Sequence, residues 1–419
     1  MTRLTRAAIV AVGSELLTPS KVDTNSLHIT EQLNRLGIDV IVKAVAGDSR
    51  DELAHLICAL LERVDLLILC GGLGPTDDDV TREAVAVALD RPLAEDEAIT
   101  VRLRERFKAR GFAMPMPEIN RRQAMVPRGA VVIENAKGSA PGLWIDHENK
   151  SVLLLPGPPR ELKPMLAGLV EGRLHERASG EPLARRLVRI VGRIESDVDQ
   201  VLQPLYREWS AASPPIAATI LAAFGSIELH LSARASADVV EEALNTAVRR
   251  VVELIGADVY STDGRTLEQV VGDLLVGKVL RIGAAESCTG GLITSRLTDV
   301  PGSSRYVDRS VVTYSNEAKS ELLGVPPEML NAHGAVSEPV AQAMADGIRM
   351  RAGVNVGVGV TGIAGPTGGT PEKPVGMVVI AVTTAGERRC RTYRFYGERE
   401  QVKFQAANAA LDMVRRLLS

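Results

Sequence analysis

The sequence predicts an α/β protein of three domains, and three observations carry that prediction. Short apolar runs alternate with amphipathic stretches through residues 1–170, the order of a mostly parallel sheet covered by helices. The character changes over 171–261, where a few strand-like runs and two helical ones make a small α+β unit. From 262 to 419 buried-looking strands again alternate with helices. At 419 residues and 45% hydrophobic content each part can bury a core. Aromatic residues supply only 3%, so those cores must be built from Ala, Val, Leu and Ile.

AAIVAV (7–12) reads as the first strand and TNSLHITEQLNRLG (24–37) as a helix ending at Gly37. DVIVKAV (39–45) follows as a strand, then a helix over 49–64 with Ser49 as N-cap. DLLILC (65–70) runs straight into GGLGP. In the middle part 185–194 reads as a strand, 195–209 as a helix, 218–224 and 226–234 as strands around Gly225, and 237–256 as a helix. In the last part VLRIGAA (279–285), 355–365 and 375–386 read as strands, with helices at TLEQVVGDLLVG (266–277), 292–297 and 400–418. No internal repeat links the last part to the first.

Composition excludes several classes of function. The net charge of −3 argues against a general nucleic-acid binder, whose phosphate contacts need a basic surface. Arg173–Arg193 holds six Arg against two Glu, but it has no GxxG loop and no aromatic platform for RNA. No apolar run approaches eighteen residues, so no membrane span is expected. The apolar start is short and interrupted by Gly13, Ser14 and Glu15, which favours a strand over a signal peptide. Cys58, Cys70, Cys288 and Cys390 form no CxxC pair, so a reducing cytoplasm is the expected compartment. The six histidines form no HExxH or HxH pattern.

AAESCTGG (284–291) places Ser287, Cys288 and Thr289 side by side between a strand and a helix. A side chain there stands at a strand's carboxyl end, and N–H groups left free at the helix start can hold an oxyanion or phosphate. Gly290 and Gly291 allow close backbone approach. The same loop can equally be a plain turn. In VVTYSNEAKSELLG (311–324) a strand delivers Tyr314, Ser315 or Asn316 starts a helix, and Lys319 follows within it. A serine nucleophile needs a base, and a lysine supplies one when its surroundings lower its pKa; a surface lysine beside a core tyrosine is the plainer reading. VTGIAGPTGGTPEKPVG (360–376) is rich enough in Gly and Pro to wall a pocket, and Arg399 in YGERE (396–400) can grip a phosphate.

At the other end, GGLGPTDDDVTREA (71–84) follows a strand and precedes a helix. Its glycines can cradle phosphates, and Asp77, Asp78 and Asp79 suit a hard cation. Alternatively, Asp78 or Asp79 caps the helix. The loop lacks GK[ST] and is not GxGxxG, so P-loop and dinucleotide readings fall.

Together ESCTGG, TYSNEAK, HGAVSEPV (333–340), TGIAGPTGG and GER closely resemble the nicotinamide-nucleotide amidohydrolase domain of the CinA proteins, across 262–419. That family converts nicotinamide mononucleotide to nicotinate mononucleotide and ammonia. The resemblance implies Ser287 as nucleophile, Lys319 as general base and Tyr314 as an assisting proton carrier. It implies substrate contacts from Thr289, Gly290, Gly291, Thr361, Gly362, Ala364, Gly365 and Arg399, and no cofactor. VGSELL (12–17), AGDSR (46–50), GGLGPTDDDVT and PGPPREL (156–162) resemble the three-layer molybdopterin-binding fold of the CinA N-terminal half. There the resemblance implies hydrolysis of ADP-ribose to AMP and ribose 5-phosphate with a divalent cation, Mg²⁺ or Co²⁺. Glu15, Asp48, Asp78 and Asp79 would serve the metal or activate water, and Asn25, Gly72, Gly74, Thr76 and Thr81 would touch substrate. The middle part resembles the family's small KH-like domain, and the family implies a homodimer.

Two other readings stay open from sequence. One is a protein that binds molybdopterin without turning over ADP-ribose. The other is a non-catalytic competence or DNA-repair adaptor, against which the acidic charge and the full set of catalytic motifs both speak.

Overall fold

Every side chain from Ala7 to Val12 is buried, because both faces of the strand they form are covered. The computed structural model describes residues 3–109, 116–223 and 225–419, which fall into two compact units, 1–184 with 234–240, and 185–233 with 241–419.

In the first unit the sheet is built from β1 (Arg6–Val12), β2 (Asp39–Ala46), β3 (Leu66–Cys70), β4 (Val131–Ile133), β5 (Gly142–His147) and β6 (Lys150–Leu155) in the order β2-β1-β3-β6-β5-β4. The first four in that order run parallel, and β5 and β4 complete it antiparallel. The two-residue period of a strand sends alternate side chains to opposite layers. Ala8, Val10, Leu67 and Leu69 pack with Leu53 and Ile57 of the helix Arg50–Leu61. Ala7, Ile9, Leu66 and Ile68 pack with Ile29 and Leu33 of the helix Asn25–Arg35, and with Leu162 and Leu166 of Pro159–Leu169. The chain leaves β1 for β2 on one side and places β3 on the other, so the loops after β1 and β3 flank a switch point, where ligands of open α/β sheets bind.

The second unit holds two sheets. β7 (Leu183–Val191), β8 (Ile216–Ala223), β9 (Ser226–Arg234) and β10 (Val259–Ser261) form one, in the order β8-β9-β7-β10. The other contains β11 (Ile282–Glu286), β12 (Val307–Val312), β13 (Val356–Gly362), β14 (Met377–Thr383) and β15 (Arg388–Arg394), in the order β12-β11-β13-β14-β15. Its first three strands are parallel and the last two antiparallel. Val356, Val358, Val360 and Ile380 pack against the helices Leu267–Gly277 and Arg399–Leu418. On the other face the helix Glu338–Ala352 lies so close that a Cβ at Gly357 or Gly359 would meet the carbonyls of Ala345 and Ala341. Again the chain passes from β11 to β12 on one side and β13 on the other, which makes a second switch point.

The expected elements recur with small shifts, and three local readings are corrected. Ser49 occupies the N-cap of Arg50–Leu61, but its side chain makes no capping bond. Neither Asp78 nor Asp79 caps the following helix, which starts at Thr81 with Val80 at its N-cap. β12 ends at Val312, two residues before Tyr314. Phe224, the last residue of the strand expected over 218–224, lies outside the described residues. Among the described residues no helix is long and apolar enough to cross a membrane.

Candidate functional site

Three parallel strands of the second unit deliver their carboxyl ends to one place. Ser287 follows β11 and its N–H donates to Val360 O on β13 at 2.9 Å. Thr313 follows β12 and its N–H donates to Glu286 O at 2.8 Å. Ser315 then caps the helix Asn316–Leu323, its hydroxyl accepting from Ala318 N at 3.1 Å. That cap sets the helical phase that turns Lys319 inward.

Lys319 is 1% exposed and Ser287 8%. The Lys319 Nζ lies 3.3 Å from Ser287 Oγ, and it donates to the carbonyls of Thr313 (2.8 Å), Tyr314 (3.3 Å) and Ser315 (3.4 Å). No carboxylate pairs with it among the described residues. Burial therefore lowers its pKa, against smaller opposing pulls from Cys288 and Glu317. Cys288 is also buried, and burial pushes its thiol up to about 12. Such a thiol is inert at neutral pH. His333 is exposed at the end of its helix, with its carbonyl accepting from Lys373 Nζ at 2.7 Å. Of the three adjacent nucleophiles, Ser287 is the one whose side chain lies within hydrogen-bond distance of the buried amine.

The helix start behind Ser287 differs from expectation. The Glu286 side chain, fully buried, accepts from the N–H groups of Gly291 (3.0 Å), Ile293 (3.1 Å) and Thr294 (2.9 Å), and from the Thr294 hydroxyl (2.7 Å). These donors are occupied by the chain's own carboxylate, so the terminus of Leu292–Thr298 is not an open phosphate cradle. Gly290 and Gly291, at φ 64° and 94°, turn the loop onto that carboxylate. Gly290 N donates to Ser287 O at 3.1 Å. The Cys288 backbone N–H faces its own thiol. The Thr289 hydroxyl is buried and unpartnered.

Tyr314 and Arg399 take unexpected places. Tyr314 is 62% exposed, and its hydroxyl accepts from Arg399 Nη2 at 3.0 Å. Its backbone carbonyl, rather than its hydroxyl, meets Lys319. Arg399 Nη1 donates to Gly365 O at 2.8 Å, so the guanidinium ties the Tyr314 turn to the Gly- and Pro-rich loop. Thr361 is buried and donates to Ala335 O at 2.9 Å. Gly362 ends β13, and Ala364 is buried in the core beneath the loop.

In the first unit the loops after β1 and β3 meet at the sheet's carboxyl edge. Thr81 is fully buried and its hydroxyl donates to Gly71 O at 2.8 Å, while its N–H donates to Gly72 O at 3.2 Å. The buried Arg82 donates to Leu73 O (2.7 Å) and Gly74 O (2.8 Å), holding the Gly-rich loop from below. Thr76 donates through N–H (2.9 Å) and hydroxyl (2.6 Å) to Asp79. Asn25 donates to Gly157 O at 2.7 Å and to Cys70 Sγ at 3.2 Å, leaving its own buried oxygen unpartnered.

The four carboxylates proposed for a metal do not assemble. Glu15 is exposed, 3.9 Å from Lys21. Asp48 accepts from Ser14 N at 2.9 Å, Asp79 is turned onto Thr76, and Asp78 is exposed. Among the described residues no three His, Cys, Asp or Glu side chains converge on a cation position. The donor set as placed does not fit a divalent cation held by protein alone.

Sequence reading missed Glu286 and Arg82. Both carry a legible signal, a charged residue beside a Gly-rich turn whose backbone groups need partners.

Residues 264–418 match the family model described as "CinA C-terminal domain". Residues 8–176 match the model described as "Probable molybdopterin binding domain". A CinA-like protein of Solibacter usitatus is 42% identical over 414 residues, 99% of this chain and 98% of its own. One from Koribacter versatilis is 44% identical over 417 residues, 98% of this chain and 99% of its own. Among solved structures, the competence/damage inducible protein CihA from Agrobacterium tumefaciens is 42% identical, covering 36% of this chain and 94% of that one, with a TM-score of 0.36. Relatives matched end to end at this identity, with both family models in order along the sequence, show that the chain belongs to the CinA family.

Proposed function

We propose that the second unit is a serine amidohydrolase that deamidates nicotinamide mononucleotide. The observation that carries this reading is the buried Ser287–Lys319 pair, 3.3 Å apart, with no carboxylate to hold the lysine charged. The motif resemblance supplies the substrate.

With its amine neutral, Lys319 accepts the Ser287 proton as Oγ bonds to the carboxamide carbon. Backbone N–H groups of the Ser287–Gly291 loop would stabilise the developing oxyanion. Collapse breaks the C–N bond, and the proton on Lys319 leaves with the amine as ammonia. A water then gives its proton to Lys319 while its oxygen bonds to the acyl carbon. Expulsion of Ser287 Oγ, which regains that proton, releases nicotinate mononucleotide. No step calls for a cofactor.

For the first unit we propose ADP-ribose as the ligand, seated on the Gly71–Asp79 loop at the switch point. Its hydrolysis needs cation ligands beyond those the chain assembles by itself, so no catalytic step is assigned there.

Ammonia release from nicotinamide mononucleotide by the full chain and its Ser287→Ala variant is the test. A loss of at least about 10³-fold in the variant, with an unchanged circular dichroism spectrum, supports the reading. Equal release by both would overturn it.

A further inference from the structure

The second half of the acyl-transfer cycle consumes a water, which must stand beside both Lys319 and the acyl carbon on Ser287. The register of the sheet shows where one is held. Glu286 lies opposite Val312 on β12 and Val360 on β13. The next row across the three parallel strands is therefore Thr313, Ser287 and Thr361, and the two-residue period turns all three side chains away from the face of Glu286 and Val312. Val311, and Ala335 to which Thr361 donates, pack with Ala285, Leu323 and Met344 on that opposite face, whereas Val312 faces the Gly291 turn.

Two of the three hydroxyls in this row have partners, Thr361 the carbonyl of Ala335 at 2.9 Å and Ser287 the Lys319 amine at 3.3 Å. Thr313 differs. It is fully buried, and its hydroxyl makes no hydrogen bond among the described residues. Its backbone carbonyl accepts from Lys319 Nζ at 2.8 Å, so the unpaired hydroxyl belongs to a residue that already touches the base. A buried hydroxyl without a partner costs stability that a valine of the same shape would not. Buried waters settle on such groups. Parallel strands lie about 4.8 Å apart, a gap that one water bridges between the Thr313 hydroxyl and the Ser287 oxygen.

We propose that the Thr313 hydroxyl seats the water that deacylates Ser287. That water donates one hydrogen to Thr313 Oγ1 and the other to the neutral Lys319 amine. Its oxygen bonds to the acyl carbon as the second proton passes to Nζ. The bond from the acyl carbon to Ser287 Oγ then breaks, Oγ takes that proton from Nζ, and the acid departs. Thr313 keeps its own proton throughout. The inference rests on the amidohydrolase reading for its acyl group, but any acyl donor to Ser287 meets the same water.

The test follows wild type, Thr313→Val and Thr313→Ser with two acyl donors, nicotinamide mononucleotide read by ammonia and p-nitrophenyl acetate read by p-nitrophenol. In Thr313→Val the first turnover survives and later ones slow about 10- to 100-fold. Each chain then gives a burst of one product molecule and carries an acyl adduct visible in its intact mass. Hydroxylamine, which attacks the acyl carbon in place of water, restores turnover in Thr313→Val. Thr313→Ser behaves as wild type. The melting temperature of Thr313→Val does not fall, because no bonded hydroxyl is removed. No ammonia from wild type would sink the amidohydrolase reading, while the ester burst still decides the role of Thr313. Wild-type kcat in Thr313→Val, or a fall in kcat with neither burst nor adduct, overturns the proposal. A chain acylated by neither donor overturns both.

Discussion

Lys319 Nζ stands 3.3 Å from Ser287 Oγ although the two residues are 32 positions apart. Two adjacent parallel strands, β11 and β12, end side by side and bring them together. The lysine is buried with no carboxylate paired to it among the described residues, and that burial disfavours its charged form, while the surrounding carbonyl oxygens hold Nζ in place.

That environment sets a pH dependence. Lys319 is a base only when deprotonated, and burial lowers its pKa below the ordinary 10.5. Ammonia release should rise with pH and level off before 10.5, and Lys319→Met should lose about 10²- to 10⁴-fold on that plateau and less below it. Stability follows with the same sign. Between the folded-state value and 10.5 the unfolded chain holds a proton that the folded chain has released, so stability rises with pH across that window. Cys288 opposes this, since its raised pKa means stability lost as pH climbs from 9.0 toward 12. The difference in melting temperature between wild type and Lys319→Met isolates the lysine contribution. A rate already flat from neutral pH down to pH 5, or a wild-type melting temperature that falls relative to that of Lys319→Met as pH rises, would contradict this account.

Glu286→Gln tests the capping carboxylate. The amide keeps the shape but turns an NH₂ toward backbone donors, and a lost charged hydrogen-bond set costs about 3 kcal/mol. The expected result is a lower melting temperature together with a kcat loss, because the Ser287 turn is anchored through Gly291, Ile293 and Thr294. A variant of wild-type kcat would separate the cap from catalysis.

Arg399→Met removes two loop ties at once, whereas Tyr314→Phe removes one and leaves the bond to Gly365. About tenfold loss in kcat/KM is expected for the former and about two- to fivefold for the latter. If Tyr314→Phe instead matched Lys319→Met, the tyrosine hydroxyl would carry the proton itself, against its placement on Arg399.

Mg²⁺ or Co²⁺ titrated into the chain alone should show no saturable binding in calorimetry, since Glu15, Asp48, Asp78 and Asp79 do not converge. With ADP-ribose present, diphosphate oxygens add the missing hard ligands and binding should appear. Chelator should leave ammonia release unchanged. Tight cation binding without nucleotide would show that the carboxylates rearrange into a site.

Local patterns of the chain determined most of the fold. The buried runs at 7–12 and 66–70, the amphipathic helices between them, and the glycine turns after strands were legible because periodicity and turn chemistry are properties of neighbours in sequence. Motifs that resemble a family also singled out Ser287 and Lys319, which the fold brings within 3.3 Å of each other. Short strands such as Val131–Ile133 and Arg388–Arg394 escaped, since their residues carry little apolar alternation and are held by pairing with a partner strand. Which backbone donors remain free was decided by tertiary structure alone. Glu286 occupies the helix start that was expected to receive an anion, and Arg399 ties Gly365 O to the Tyr314 hydroxyl. Hydrogen-bond capacity is finite, and only the folded arrangement shows which groups have already used theirs.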